Sequence, residues 1–135
     1  MITLPCLKFQ VVCLGGCSSA YSNGNLPSGS FSGATAFGYW DDLYVYSGTS
    51  QTVYYGTTGT SPNRNLVFEF YTAHFSSRTR YYRFQIVFYE NSPGIVRFFY
   101  FQASDTGNSA TIGVQGNDSW IDIDTYKTLS LLSNI

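Results

Sequence analysis

Apolar and polar residues alternate with a period of two through three consecutive segments in the middle of the chain. These segments are Leu66–Phe75, Tyr82–Glu90 and Ile95–Gln102. Because successive side chains of a β-strand point to opposite faces, such alternation predicts strands with one apolar face. Asn91-Ser92-Pro93-Gly94 separates the last two segments and favours a tight turn, so we expect consecutive antiparallel strands of one sheet. The side chains predicted to face the core are Phe68, Phe70, Phe84, Ile86 and Phe88.

Shorter apolar runs on either side of this region are bounded by turn-forming residues at intervals of about ten residues. They predict strands at Leu7–Leu14, Ala34–Trp40, Tyr44–Tyr46, Thr52–Tyr55, Ala110–Gln115 and Trp120–Ile123. Tyr44–Tyr46 and Thr52–Tyr55 flank a turn that contains Gly and Ser, and we expect them to pair as a hairpin. Residues 18–33 are rich in Ser, Gly and Asn and predict a long loop, which is typical of a functional or a poorly ordered segment. The whole pattern predicts an all-β fold: a single two-layer antiparallel β-sandwich over residues 1–135, jelly-roll-like or of related topology.

The composition agrees with this fold and excludes several functional classes. Only 11% of the 135 residues are charged, against about 25% in ordinary globular domains, and 19% are aromatic. Aromatic and β-branched residues suit a pleated surface, which excludes a helical bundle, a coiled coil and a disordered tail. No apolar run approaches the roughly 20 residues that a membrane span requires. The net charge is −1 and the seven Lys and Arg residues are scattered, so nucleic acid and membrane are not expected partners.

The three cysteines, Cys6, Cys13 and Cys17, form at most one disulfide within the chain. Cys13 and Cys17 lie on either side of Gly15-Gly16 and are the pair that proximity favours. A zinc site would need four ligands, and His74, the only histidine, has no second cysteine pair beside it. We therefore predict a Cys13–Cys17 disulfide and no zinc.

Two features bear on the location of the protein. Asn117-Asp118-Ser119 is an N-glycosylation sequon, which suits an exposed loop of a secreted protein. The first residues do not form a signal peptide, because Lys8 and Gln10 interrupt the apolar stretch and no basic segment precedes it. We expect a leader to be missing from this chain and predict an extracellular or cell-surface location.

Two groups of residues match catalytic motifs, but each has a simpler structural interpretation. Asp105-Thr106-Gly107 is the triplet of aspartic proteases, yet that chemistry needs two carboxylates and the chain carries one such triplet. A β-turn, in which Asp caps its own backbone and Gly supplies a positive φ, explains the triplet better. His74 lies near Ser76 and Ser77 without a nucleophile elbow or an orienting carboxylate.

Glu69 and Glu90 are a third candidate, as the acid pair of a glycosidase. Glu69 falls in the middle of a predicted strand, where a cross-strand pair with Arg83 or Arg97 is the simpler explanation. We therefore expect a protein that is not an enzyme.

Trp40-Asp41-Asp42 stands at a strand-to-loop junction and is the main candidate binding site. Carboxylate oxygens bind Ca²⁺, the one cofactor these residues suggest, and a Trp ring beside acids binds a sugar by stacking and hydrogen bonds. Adjacent side chains of an extended backbone point to opposite sides, so Asp105 and Asn108 from a second loop would have to complete such a site. The alternative is a buried Trp40 with Asp side chains that satisfy loop amides. The sequence leaves both interpretations open.

The segment 37–43 has the form F-x-x-W-D-D-L and closes an apolar strand. Similar runs occur in secreted β-sandwich domains of fungal and bacterial surface proteins, and the chain more loosely resembles nidogen-type extracellular domains. The resemblance covers roughly residues 13–116 and rests on an ordered succession of motifs. These motifs lie at residues 36–43, 53–55, 59–64, 67–70, 84–90 and 109–115. It departs at the start, where relatives carry another strand or two before the segment that matches Cys13–Pro27.

The resemblance implies a non-enzymatic extracellular binding module, adhesin-like or carbohydrate-associated, and it brings no catalytic residues. The surplus of Tyr and Trp suits recognition of a glycan or a cell-surface protein, since these side chains offer a flat apolar face and a polar group at low entropic cost. A second hypothesis is a structural protein that self-assembles into fibres or a surface layer through pairing of Tyr-rich strands. Low charge and high β-propensity permit such assembly.

Overall fold

The computed structural model describes residues 6–8, 10–116 and 120–122, and the side chains of residues 10–116. The described residues form ten strands and no helix. The strands are β1 (Cys6–Lys8), β2 (Val11–Cys13), β3 (Thr35–Trp40), β4 (Leu43–Tyr44), β5 (Thr52–Thr58), β6 (Asn65–His74), β7 (Ser77–Tyr89), β8 (Val96–Ala103), β9 (Thr111–Gln115) and β10 (Trp120–Asp122). This part of the chain accordingly contains no helix of the length and apolarity needed to cross a membrane.

The strands form two antiparallel sheets, which confirms the predicted all-β fold. Two such sheets, with no helix in the described residues, are consistent with a β-sandwich. The chain divides into two compact units. The first unit combines Met1–Tyr44 with Asp105–Ile135, and the second is Val45–Ser104. The extent of the domain, residues 1–135, stays a prediction.

The sheet of the first unit has the strand order β1-β2-β3-β9-β10, so segments far apart in the sequence are neighbours in it. All six residues of its central strand, β3, are buried. The prediction of one strand over Leu7–Leu14 is wrong, because β1 and β2 are two short antiparallel strands with Lys8 opposite Val11. Between them Gln10 has a φ of 63°, and this left-handed conformation reverses the chain within what the apolar pattern presents as one run.

The predicted long loop, residues 18–33, is held in the first unit by buried side chains. Leu26 and Phe31 are only 4% and 3% exposed. Gln115 of β9 satisfies the loop backbone: its Nε2 donates to the carbonyls of Ser28 and Phe31, each at 3.0 Å, and its Oε1 accepts from the N–H of Ser28 at 2.7 Å. Apolar burial and satisfied backbone groups together fix a segment whose composition alone is typical of disorder.

Gly33, the last residue of this loop, lies against Gly15, three residues before the loop begins. A Cβ on Gly33 would lie 2.7 Å from the Cα of Gly15, closer than real Cβ atoms approach, so glycine is required for the contact. Cys13 and Cys17, on either side of this crossing, are joined by a disulfide with a Cα–Cα distance of 5.5 Å, which is the pair that proximity favours.

The sheet of the second unit contains β5, β6, β7 and β8 side by side in that order. The three long alternating segments are therefore confirmed as consecutive strands of one sheet. Four of the five predicted core side chains are at most 3% exposed and the fifth, Phe88, is half-buried. The buried four are Phe68, Phe70, Phe84 and Ile86. They lie on one face, called the aromatic face, together with Tyr100, whose pKa is raised by burial.

The predicted hairpin between Tyr44–Tyr46 and Thr52–Tyr55 is wrong. β5 extends over Thr52–Thr58 and pairs along its whole length with β6. Side chains close the turn before it: the N–H of Tyr46 donates to Oε1 of Gln51 at 2.9 Å, and the hydroxyl of Thr49 donates to the carbonyl of Tyr46 at 2.6 Å. Strand propensity therefore identified the segment, while the choice of partner depended on the longer strand β6.

Candidate functional site

Trp40, the last residue of β3, has a buried ring and is 2% exposed. Its Nε1 donates a hydrogen bond to the carbonyl of Ala20 at 3.0 Å. The ring centroid lies 5.2 Å from that of Phe31 and 5.3 Å from that of Phe37. A ligand thus finds no exposed Trp40 face on which to stack, and the geometry favours the interpretation of Trp40 as a buried anchor.

The structure brings Asp41 and Asp105 together through one serine. The hydroxyl of Ser109 lies 2.6 Å from Oδ2 of Asp41 and 2.9 Å from Oδ2 of Asp105. A hydroxyl carries one proton, so Ser109 donates to one carboxylate at a time. Oδ1 of Asp41 accepts from the N–H of Asp42 at 2.8 Å, and Oδ1 of Asp105 accepts from the hydroxyl of Tyr39. These contacts tie the end of β3 to the turn that precedes β9.

The predicted ligand set is only partly assembled by this cluster. Asp41 is 7% exposed, Asp42 is half-buried, and Asn108 is exposed and donates its N–H to the carbonyl of Asp105 at 3.3 Å. Within residues 6–8, 10–116 and 120–122, no group of three His, Cys, Asp or Glu residues is placed to hold a metal ion. Calcium at Asp41, Asp42 and Asp105 stays a prediction, and the observed contacts are those of carboxylates that satisfy a loop.

The residues considered for catalysis have structural partners. Nδ1 of His74 lies 3.0 Å from the hydroxyl of Ser76. Glu69 forms the expected cross-strand pair with Arg83, at 2.8 Å between Oε1 and Nη2, and also accepts from Nε2 of Gln85 at 2.6 Å. The predicted glycosylation site, Asn117, lies outside the described residues.

Glu90 forms a two-pronged ion pair with Arg64. Nε of Arg64 donates to Oε2 at 2.9 Å, Nη2 donates to Oε1 at 2.5 Å, and the backbone N–H of Arg64 donates to Oε2 at 3.1 Å. The side-chain hydrogen bonds from Arg64 are the main reason that the pKa of Glu90 falls to about 2. Glu90 is therefore a carboxylate near neutral pH, which does not suit a general acid.

A shallow trough of about 500 Å³, which the sequence analysis did not predict, runs over the second unit's sheet on the face opposite the aromatic face. We call this the polar face. The space over Gly56 of β5 is open, since a Cβ built on this residue meets no atom within 4 Å. Val67 and Val87, opposite Gly56 in the ladder, form an apolar floor. Side chains that rise around this floor include Tyr54, Glu69, Gln85, Tyr89 and Phe99.

Polar groups at one end of the trough are held in fixed orientations. Tyr54, Glu69, Gln85 and Phe99 lie directly opposite one another across the four strands. Tyr54 is 52% exposed, so its ring is accessible, and its hydroxyl donates to the carbonyl of Ser50 at 3.4 Å. The contacts of Glu69 with Arg83 and Gln85 fix the carboxylate and leave it with further acceptor capacity. An apolar floor, accessible rings and oriented polar groups are the usual components of a small-ligand site.

The sequence carries one signal for the trough, which is the glycine at position 56. Gly56 interrupts a run of β-branched and aromatic residues, and a glycine inside a strand often marks a place where a ligand or another backbone approaches closely. The alternation that gave the core residues also assigns Glu69 and Gln85 to the opposite face. Their placement in one row beside Gly56 depends on the strand register, which the sequence does not reveal.

Comparison with curated proteins and with solved structures gives no match. Comparison with protein families gives a match to the family described as NIDO related, over residues 10–134. The match extends over most of the chain and includes the greater part of both segments of the first unit and the whole of the second. It agrees with the looser, nidogen-type part of the resemblance. The chain belongs to the NIDO-related family.

Proposed function

We propose that this protein is a non-enzymatic binding module that recognises a neutral glycan of the cell surface or cell wall through the trough on the polar face. Membership of the NIDO-related family indicates an extracellular-type module. The observation that carries the proposal is the open space over Gly56, between the exposed ring of Tyr54 and the valine floor.

The trough has the chemistry that a sugar ring needs. A pyranose presents C–H groups on its faces and hydroxyls around its edge, so it packs on apolar and aromatic surface while its edge forms hydrogen bonds. Val67, Val87 and Tyr54 offer the apolar contacts, whereas Glu69 and Gln85 offer fixed polar partners. The charge of Glu69 is balanced by Arg83, which favours an uncharged sugar over an anionic one.

The lining of the trough also supports binding without hydrolysis. Glycoside hydrolysis ordinarily uses two carboxyl groups across the scissile bond, one of them able to deliver a proton. Glu69 is the single carboxylate among the lining residues, and both of its oxygens already accept hydrogen bonds. This lining supports a recognition site, and the extracellular or cell-surface location that we propose rests on the family match.

The test is a glycan array followed by calorimetric titration of the sugars that bind. Gly56→Val fills the trough with a residue suited to a strand, and Tyr54→Ala removes the accessible ring; each is expected to weaken binding at least tenfold. Tyr21→Ala is the matched control, since Tyr21 is 57% exposed and belongs to the first unit. An array without any binding, or binding that survives both trough variants, would contradict the proposal.

A further inference from the structure

The outer edge of β5 is an exposed strand edge without the usual protection. Tyr54–Thr58 are five consecutive exposed residues, and β6 is the one strand that pairs with β5 in the part of the chain the structure describes. Thr52–Thr58 contains no charged residue and no proline. Natural sheets usually protect such edges with charges, prolines, bulges or a covering segment, because a free edge pairs readily with another strand.

The opposite edge of the same sheet is protected. β8 carries Arg97, and its register with β7 shifts between Arg83 and Phe84, so that a bulge interrupts the ladder near Phe101. The guanidinium of Arg83 lies 5.7 Å from the ring centre of Phe101, so a second cation is close to this irregular edge. The contrast between the two edges shows that β5 is the edge suited to accept a strand.

The sequence of β5 is complementary to itself about a two-fold axis. Side chains opposite each other in an antiparallel pair lie on the same face, so a two-fold axis normal to the sheet must lie midway between two copies of the same residue. If the axis lies at Tyr55, the middle residue of the strand, Tyr55 of one copy is opposite Tyr55 of the other, and all seven residues are paired. The other pairs between the two copies are Tyr54 with Gly56, Val53 with Thr57 and Thr52 with Thr58. No charge meets a like charge in this register.

The pairing of Tyr54 with Gly56 places a ring of the second copy in the open space over Gly56, where the proposed sugar would also lie, so dimer formation and glycan binding exclude each other. A Cβ on Gly56 meets nothing within 4 Å, so an aromatic ring from a neighbouring strand has room there, and aromatic side chains stabilise glycines across a strand pair. We infer that two copies of this chain pair through β5, antiparallel about a two-fold axis at Tyr55, to form a closed dimer in which the two β5 strands join the sheets into one. An isologous contact of this kind uses both copies of the edge and leaves none for fibre growth.

The first test is sedimentation velocity of the full chain without ligand, so that its outcome is independent of glycan binding. The expected result is a concentration-dependent shift from the 15.0 kDa monomer to twice that mass. Tyr55→Lys places two like charges directly opposite each other at the axis and should abolish the shift. Tyr21→Ala should leave it unchanged. A wild-type monomer up to about 1 mM, or assemblies larger than the dimer, would overturn the inference.

The second test fixes the register by cross-linking. In a Cys6→Ser background, Tyr55→Cys places two thiols opposite each other at the axis, within the span of a disulfide, and should give a covalent dimer on mild oxidation. Thr57→Cys is the control, because the axis places it opposite Val53 of the second copy and far from its own counterpart. Cross-linking at position 57 but not at 55, or at neither, would overturn the proposed pairing even if dimers were present.

Discussion

Replacement of Phe31 by alanine is expected to destabilise the protein more than its position in a long polar loop suggests. Phe31 is 3% exposed. Its ring packs edge-on against Phe37, with 4.9 Å between centroids and an 85° interplanar angle, and against Trp40 at 5.2 Å and 85°. The residue therefore closes a three-ring cluster in the first unit, and Leu26 belongs to the same buried cluster.

The magnitude follows from these contacts. Truncation of a buried Phe to Ala typically costs about 3–5 kcal/mol. We take the lower end, about 3 kcal/mol, because a loop can move partly into the space left behind. For a chain of this length that loss corresponds to a fall in Tm of about 10 °C. Phe31→Leu retains most of the apolar area and loses mainly the two edge-on contacts, so it should cost about 1–2 kcal/mol.

The assay is urea unfolding followed by circular dichroism, together with limited proteolysis of residues 18–33. Phe31→Ala should lower the midpoint and make the loop susceptible to cleavage, since the backbone near Ser28 would lose its anchor. Tyr21→Ala is the control in the same loop, and with 57% exposure it should change stability by less than about 0.5 kcal/mol. If Phe31→Ala behaves like Tyr21→Ala in both assays, the loop is not anchored as described.

Three further predictions concern single contacts. Ser109→Ala should lower the free energy of unfolding by about 1 kcal/mol, measured in urea, because it removes a donor from the buried Asp41; an unchanged midpoint would contradict this. The pKa of Glu90 is lowered from 4.5 to about 2, so its pair with Arg64 stabilises the fold above pH 4.5, and this stabilisation is lost as the pH falls towards 2. Glu90→Gln should therefore flatten the decline of Tm across that interval, and an unaltered decline would refute the role of the pair. Thr72 is fully buried and its hydroxyl has no hydrogen-bond partner among the described residues. Thr72→Val should therefore leave the free energy of unfolding unchanged or raise it by up to about 1 kcal/mol, whereas a clear loss would reveal a partner for the hydroxyl.

The candidate site divides into a part that sequence reasoning could find and a part that it could not. Asp41 and Asp105 were expected to converge because carboxylates on loops are free to do so, and the structure joins them through Ser109. Whether the ring of Trp40 is exposed or buried was open in the sequence, since a Trp at a strand end suits either state. The loop residue Phe31 covers the ring, and no local pattern reveals that contact.

The sequence by itself determined the strands β6, β7 and β8 and their buried face, because period-two alternation over eight or more residues is a local property that each strand carries alone. The tertiary structure decided which segments pair. β5 joins β6 and not the preceding Tyr44–Tyr46, and the short run before Leu14 bends at Gln10 into two strands. Pairing and register depend on contacts between residues distant in the sequence, and the trough over Gly56 exists only once that register is set.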